Sequence, residues 1–187
     1  MSRAISKVVS GLMVGAFVAV SLLVLTSVPA SSHFVPIPCD FITSGGFVFT
    51  DAGKHGNFGA HGGCKNGAFW GHVNYLDHGS APPYHVDSTQ ITGYLIDPAF
   101  PNARDICGFA RTNQGETVRF RVRLVDNGEP GRDDKFGIRL SNGYVVTTRL
   151  LEGGNVQLHL PNPSTTAPFP PPDEYTMCGG LEHPGDP

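Results

Sequence analysis

Charge is scarce in this chain. Asp, Glu, Lys and Arg make up 16% of its 187 residues, against about a quarter in ordinary soluble domains. The net charge is −3, so the basic excess that general nucleic-acid binding requires is missing. No amphipathic helical run of useful length is present. Gly 24 and Pro 16 are both poor in helix interiors and exclude a helical bundle or a coiled coil. The glycines keep no three-residue period, which excludes collagen. The chain also lacks a G-x-S-x-G nucleophile elbow, a phosphate loop and a dinucleotide fingerprint. No N-x-S/T sequon occurs, because Asn162 is followed by Pro163.

What is present starts with an export signal. Arg3 and Lys7 precede the uncharged run Val8–Leu25, and Ser27-Val28-Pro29-Ala30 places small residues at −3 and −1. This is the pattern of a signal peptide over residues 1–30, its apolar core forming a signal helix and cleavage falling after Ala30. A retained anchor is the alternative, since the apolar run is long for a signal. Either reading puts the rest outside the cytoplasm, secreted or at the cell surface, with membrane contact only through an uncleaved signal. Cleavage removes two cations and no acid, leaving the remainder more acidic. Cys39, Cys64, Cys107 and Cys178 then read as two disulfides, with three pairings open. The nested pairing Cys39–Cys178 with Cys64–Cys107 is preferred, because it ties the tail to the domain's start.

Residues 31–160 read as an all-β domain. In Thr117–Val125, Val118, Phe120, Val122 and Leu124 alternate with Arg119, Arg121 and Arg123, the period of a half-buried strand. Lys135–Leu140 and Tyr144–Leu151 flank Asn142-Gly143, which suits a type I′ hairpin. Val156–Leu160 is a last strand. Gly46–Thr50, Asn57–Ala60, Ala68–Leu76, Gln90–Ile96 and Ile106–Arg111 are strands upstream, with Asn66-Gly67 a second hairpin turn. Eight or nine short strands predict an antiparallel β-sandwich or jelly roll. Residues 161–187 are proline-rich and predict a disordered or polyproline-like tail.

Four clusters carry candidate chemistry. Arg119, Arg121, Arg123, Lys135 and Arg139 form an outward basic stripe able to meet an acidic polysaccharide, a lipid head group or an acidic partner. The same stripe serves equally as a charged face that blocks aggregation. Trp70 and Tyr84 are candidate aromatic contacts for a ligand, Tyr84 being the more exposed after Pro82-Pro83; the other reading of Trp70 is a core or satellite-cluster residue. Asp126–Asp134 supplies oxygen ligands from Asp126, Glu129, Asp133 and Asp134 in a loop of the kind that suits calcium; its other role is a plain hairpin connection. His55, His61, Cys64, His72, His78 and His85 raise a zinc reading, but their spacings match no standard site. Apart from calcium no cofactor is implied.

Several segments together resemble a known family. They are Ile42-Thr43-Ser44-Gly45-Gly46, Gly56-Asn57-Phe58-Gly59, Asn74-Tyr75-Leu76-Asp77-His78, Val86–Thr92, Asp126–Gly131 and Gly153-Gly154-Asn155-Val156-Gln157-Leu158-His159. In this order they resemble the post-choice-of-anchor domain of bacterial exported proteins. The resemblance covers about residues 39–160 and implies a β-rich accessory domain with no assigned reaction. Two features depart from the family's usual form: the domain follows the signal directly, and a proline-rich segment with Cys178 comes after it. The expectation is a non-catalytic accessory or structural binding domain, its partner an extracellular polysaccharide or cell-surface protein. A carbohydrate-binding module using Trp70 and Tyr84 is the alternative, and a metal-dependent enzyme built on the histidines the third.

Overall fold

The structure, a computed structural model, describes residues 32–186; the expected signal segment lies outside them. Nine strands follow one another: β1 (Phe41–Phe49), β2 (His55–Lys65), β3 (Ala68–Asp77), β4 (Tyr84–Asp97), β5 (Phe100–Thr112), β6 (Thr117–Val125), β7 (Lys135–Leu140), β8 (Val145–Leu150) and β9 (Gly153–His159). One short helix, α1 (Glu174–Cys178), comes after them. The all-β reading holds. Every pairing is antiparallel, and the order is β8-β7-β6-β5-β4-β3-β2-β1-β9 in a single sheet. A sandwich or jelly roll divides its strands between two sheets, whereas here one ladder runs unbroken and curls.

The last two strands bring the ends of that ladder together. β8 is antiparallel to β7 and β9 is antiparallel to β1, with only Leu151 and Glu152 between them. In an alternating meander this makes β8 and β9 run in the same sense. They are two halves of one strand that changes partner midway. Gly153-Gly154 makes the change possible. Gly154 has φ +113°, and a Cβ there would run into the backbone of Gly45 and Gly46 on β1. The free edge of β9 is satisfied by side chains: Val156 N donates to Asp134 Oδ2 and Leu158 N to Asp126 Oδ2, both at 2.7 Å. Glu152 N adds a bond to Phe47 O at 3.0 Å.

Alternation does the packing. Val118, Phe120, Val122 and Leu124 point inward as their period requires, and meet Ile42, Phe58, Val73, Tyr75, Ile106, Phe136 and Val156 in one core. Phe58 of β2 stacks on Phe136 of β7 at 4.0 Å between centroids, so opposite walls of the curl touch. A buried polar group shares this interior. Arg104 Nε and Nη2 donate to Asp40 at 3.0 and 2.5 Å, and Tyr94 Oη donates to it at 2.6 Å. Burial first, then the Asp40 charge, pushes the Tyr94 phenol well above its ordinary range. Both expected Asn-Gly turns join strands, but only one is of type I′. Asn66 (φ 50°) and Gly67 (φ 78°) both take positive φ, the type I′ requirement. At Ser141–Gly143 only Gly143 does (φ 92°), as in a three-residue loop.

The segment after β9 is ordered, contrary to expectation. Proline removes N–H donors, so this stretch joins no ladder. It docks instead mainly through its carbonyls. Ser164 O and Thr166 O accept from Asn66 N and Gly67 N, Met177 O from Thr92 Oγ1, and Pro184 O from Thr148 N. α1 starts at Asp173, whose side chain accepts from Thr176 N at 2.8 Å, and stops at Gly179 in the left-handed region. The disulfides are Cys39–Cys64 and Cys107–Cys178, not the expected nested pairs. Register explains the second. Cys107 lies on the outer side of β5 and is paired with Arg121 of β6, where α1 crosses.

Candidate functional site

The basic stripe is not a surface. Arg119, Arg121 and Arg123 do point to the outer side of β6, but the tail covers that side. Arg121 is 2% and Arg123 0% exposed. Between them sits Asp105 of β5, which accepts from Nε and Nη2 of both arginines at 2.5 to 3.1 Å. Arg121 Nη1 also donates to Glu174 Oε1 (2.7 Å) and Leu181 O (2.8 Å). His33 of the N-terminal arm lies 3.0 Å from Asp97 Oδ2 and 2.7 Å from Arg123 Nη2. Burial pushes the Asp105 carboxyl up, but the two guanidiniums outweigh it and hold it below the ordinary range. Arg119 stacks over the Phe109 ring at 4.4 Å. Arg139, half-buried opposite Arg121, is likewise drawn into this face. Together these residues fasten arm, tail and sheet. Sequence periodicity gave the side correctly and could not show what lay on it.

The four hairpin turns at one end of the curl, β1–β2, β3–β4, β5–β6 and β7–β8, converge on a cavity of about 390 Å³. Lys54 comes from the first turn, Asp77 and Tyr84 flank the second, Gln114 belongs to the third, and Asn142 and Tyr144 to the last. Tyr84 is 7% exposed, not the exposed ring expected. Its phenol donates to Glu116 Oε2 at 3.3 Å and accepts from Asn142 Nδ2 at 3.0 Å. Its ring lies 5.2 Å from that of Tyr144. Tyr144 Oη donates to Asp77 Oδ2 at 2.7 Å and sits 2.8 Å from Tyr75 Oη. Burial, then Tyr75 and Asp77, pushes the Tyr144 phenol up; burial likewise raises Tyr75 and Tyr84. These phenols stay neutral and serve as fixed donors and ring walls.

The histidines separate by strand geometry. His61 and His72 are register partners on the outer side of β2 and β3. Trp70, half-buried, stands beside them, its ring 5.5 Å from His61 and 6.1 Å from Phe41. His72 Nε2 lies 3.1 Å from Asp87 Oδ1, and Asn74 Nδ2 lies 2.8 Å from His85 Nε2. Burial first and His72 second lower the His61 pKa from its ordinary 6.5. His55 and His78 lie nearer the cavity end, 5.7 Å apart between centroids. Cys64 is in a disulfide and has no thiolate to offer.

The acidic loop is divided as well. Asp134 Oδ1 accepts from Asn127 N at 2.8 Å while its Oδ2 holds Val156 N. Asp126 Oδ1 accepts from Gly128 N at 2.9 Å while its Oδ2 holds Leu158 N. Glu129 Oε1 accepts from Asn155 Nδ2 at 3.0 Å. Asp133 is exposed and takes part through its carbonyl, which accepts from Asn127 Nδ2. Among the described residues no group of three or more His, Cys, Asp or Glu side chains is placed to hold a metal ion. Two of the four candidate ligands thus spend their oxygens closing the sheet.

Two disulfides indicate an oxidising, extracytoplasmic compartment. Among the described residues no helix is long and apolar enough to cross a membrane. Compared with family models, with curated proteins and with solved structures, the chain matches none.

Proposed function

We propose that this chain is an exported accessory domain that works by binding and not by catalysis, and that the cavity at the four-turn end is its principal contact. The observation that carries the reading is convergence. All four turns at one end of the sheet contribute to one cavity, whose two tyrosine rings stand against Lys54, Asp77, Gln114 and Asn142. Mouths of curled sheets with aromatic walls and a few aimed polar groups are ordinary ligand sites. The volume and lining suit a small polyhydroxyl ligand, one or two sugar units, with rings against its faces and amides against its hydroxyls. The leader-like residues 1–30, the paired cysteines and the resemblance to the post-choice-of-anchor domain support an exported accessory role. The sandwich-like reading is kept in one sense, since the two walls of the curl press face to face as two layers would.

Calorimetric titration of the unreduced domain with neutral mono- and disaccharides tests this. The expected result is saturable binding to at least one of them, weakened about tenfold or more in Asn142→Ala. If no saccharide binds, or Asn142→Ala binds as the parent does, the cavity is not the site.

A further inference from the structure

The outer side of the sheet is covered only in part. The tail first touches the β2–β3 turn through Ser164 and Thr166, then with the arm lies across β4 to β8; the outer side of β9, β1, β2 and β3 with the first half of β4 carries a different surface. Register lines up three rows there. The central row is Asn155–Gly45–Gly59–Asn74–Asp87. On one side runs Gln157–Thr43–His61–His72, and on the other Gly153–Phe47–Asn57–Leu76–His85. The middle of the central row has no side chains. A Cβ at Gly59 would meet no atom within 4 Å, and one at Gly45 only the Phe58 carbonyl at 3.9 Å. Neither glycine has positive φ, so neither is required by its backbone. Bare floor between two rows of side chains is a trough across five strands, about 19 Å long at about 4.8 Å per strand.

The lining states what the trough suits. Thr43, Asn57, His61, Asn74 and Gln157 are uncharged groups that both donate and accept hydrogen bonds. The single acid, Asp87, is held by His72 and Asn74, each at 3.1 Å, and the side chains of His72 and Asp87 remain 46% and 49% exposed. Lys and Arg are absent from the three rows; Arg111 stands next after Asp87, on β5. Glu129 meets Asn155 at the β9 end; charges this few and scattered, of both signs once Arg111 is counted, do not select a polyanion or a basic peptide. Aromatic rings flank it: Phe41 and Trp70 beyond the His61 row, Phe47 on the other side. Hydroxyl-matching side chains beside ring faces, in an open linear trough, fit an extended chain of sugars.

We propose that this trough binds a neutral polysaccharide chain laid across the strands. The inference shares the ligand class of the cavity reading but none of its residues. The test is affinity electrophoresis of the unreduced domain in gels containing a neutral glucan, mannan, galactan or xylan, with heparin as the polyanion. Gly59→Leu and Gly45→Leu fill the floor where space is free, and their melting temperatures report folding. Thr117→Leu, exposed on β6, is the control. The proposal expects retardation by at least one neutral polymer, reduced about tenfold or more in both glycine variants and unchanged in the control. Asn142→Ala is run beside them to separate the two sites: loss there, with Gly59→Leu behaving as the parent, assigns the sugar to the cavity and overturns the trough. Retardation by heparin alone, or by no polymer, overturns it as well.

Discussion

Asp105→Asn is a single-atom change with a large expected effect. The carboxylate is 1% exposed and lies between guanidiniums that are 2% and 0% exposed. It accepts from four of their nitrogens. Asparagine keeps the shape, loses the charge and turns an N–H₂ toward donors of which only Arg123 Nη2 has other partners, His33 and Asp97. Removing one partner from a buried ion network costs about 3–5 kcal/mol, because the remaining charge is stranded out of water. For a domain of this size that is a fall of about 6–20 °C in melting temperature. Calorimetry on the oxidised protein measures it, with Asp87→Asn as the comparison. Asp87 is half exposed and paired to His72, and such surface pairs are worth about 1 kcal/mol or less. The pH dependence follows the same carboxyl. Its folded pKa is depressed, so its contribution is complete above the ordinary carboxylate range, about pH 4, and is lost as pH falls through the folded value. A loss in Asp105→Asn no larger than in Asp87→Asn would refute the reasoning, since the three groups would then be wet or mobile.

Two further outcomes are expected. The Cys107–Cys178 bridge closes a separation of 71 residues and Cys39–Cys64 one of 25; chain entropy assigns them about 4.4 and about 3.5 kcal/mol. Denaturant melts of the two double-serine variants should rank in that order, and the tail of the Cys107→Ser/Cys178→Ser variant should become protease-sensitive; the reverse order would count against the strap. His61 has a lowered pKa, so the unfolded chain takes up its proton more readily and stability declines as pH drops below about 6.5. An NMR titration of His72→Gln should show the His61 midpoint moving up toward its ordinary value; an unmoved midpoint would mean the rings do not sense each other.

The strands themselves were legible. Period-two runs such as Thr117–Val125 and the Asn-Gly signal at 66–67 report local backbone preference, and local preference is what a sequence displays. Partners are not local. The same arginines that alternate outward read as a surface until the tail is laid over them, and Asp105, 16 residues from Arg121, gives no sign of its role. Strand ends were lost for a related reason. β5 runs from Phe100 to Thr112, beyond the expected Ile106–Arg111, and takes in Arg104 and Asp105 because each ion finds its counter-ion in the fold. Tyr84 was singled out as an exposed ring, and the structure places it in a cavity wall. The cavity gathers residues from four separate turns, and no spacing rule joins Lys54 to Asn142. Gly45 and Gly59 were noticed as parts of longer motifs, but their alignment into a trough is a property of register alone.

The strand that changes partner at Leu151–Glu152 also sets an order of events. Thr43 meets His159 across 116 residues, so the seam is among the last pairings a growing chain can make. Until then β1 and β7 each present a row of unpaired amides, the template on which chains associate with one another. Completion of the final 15 or so residues of sheet removes both edges at once. Truncation there therefore uncovers β1 and β7, two edges that strand pairing otherwise covers.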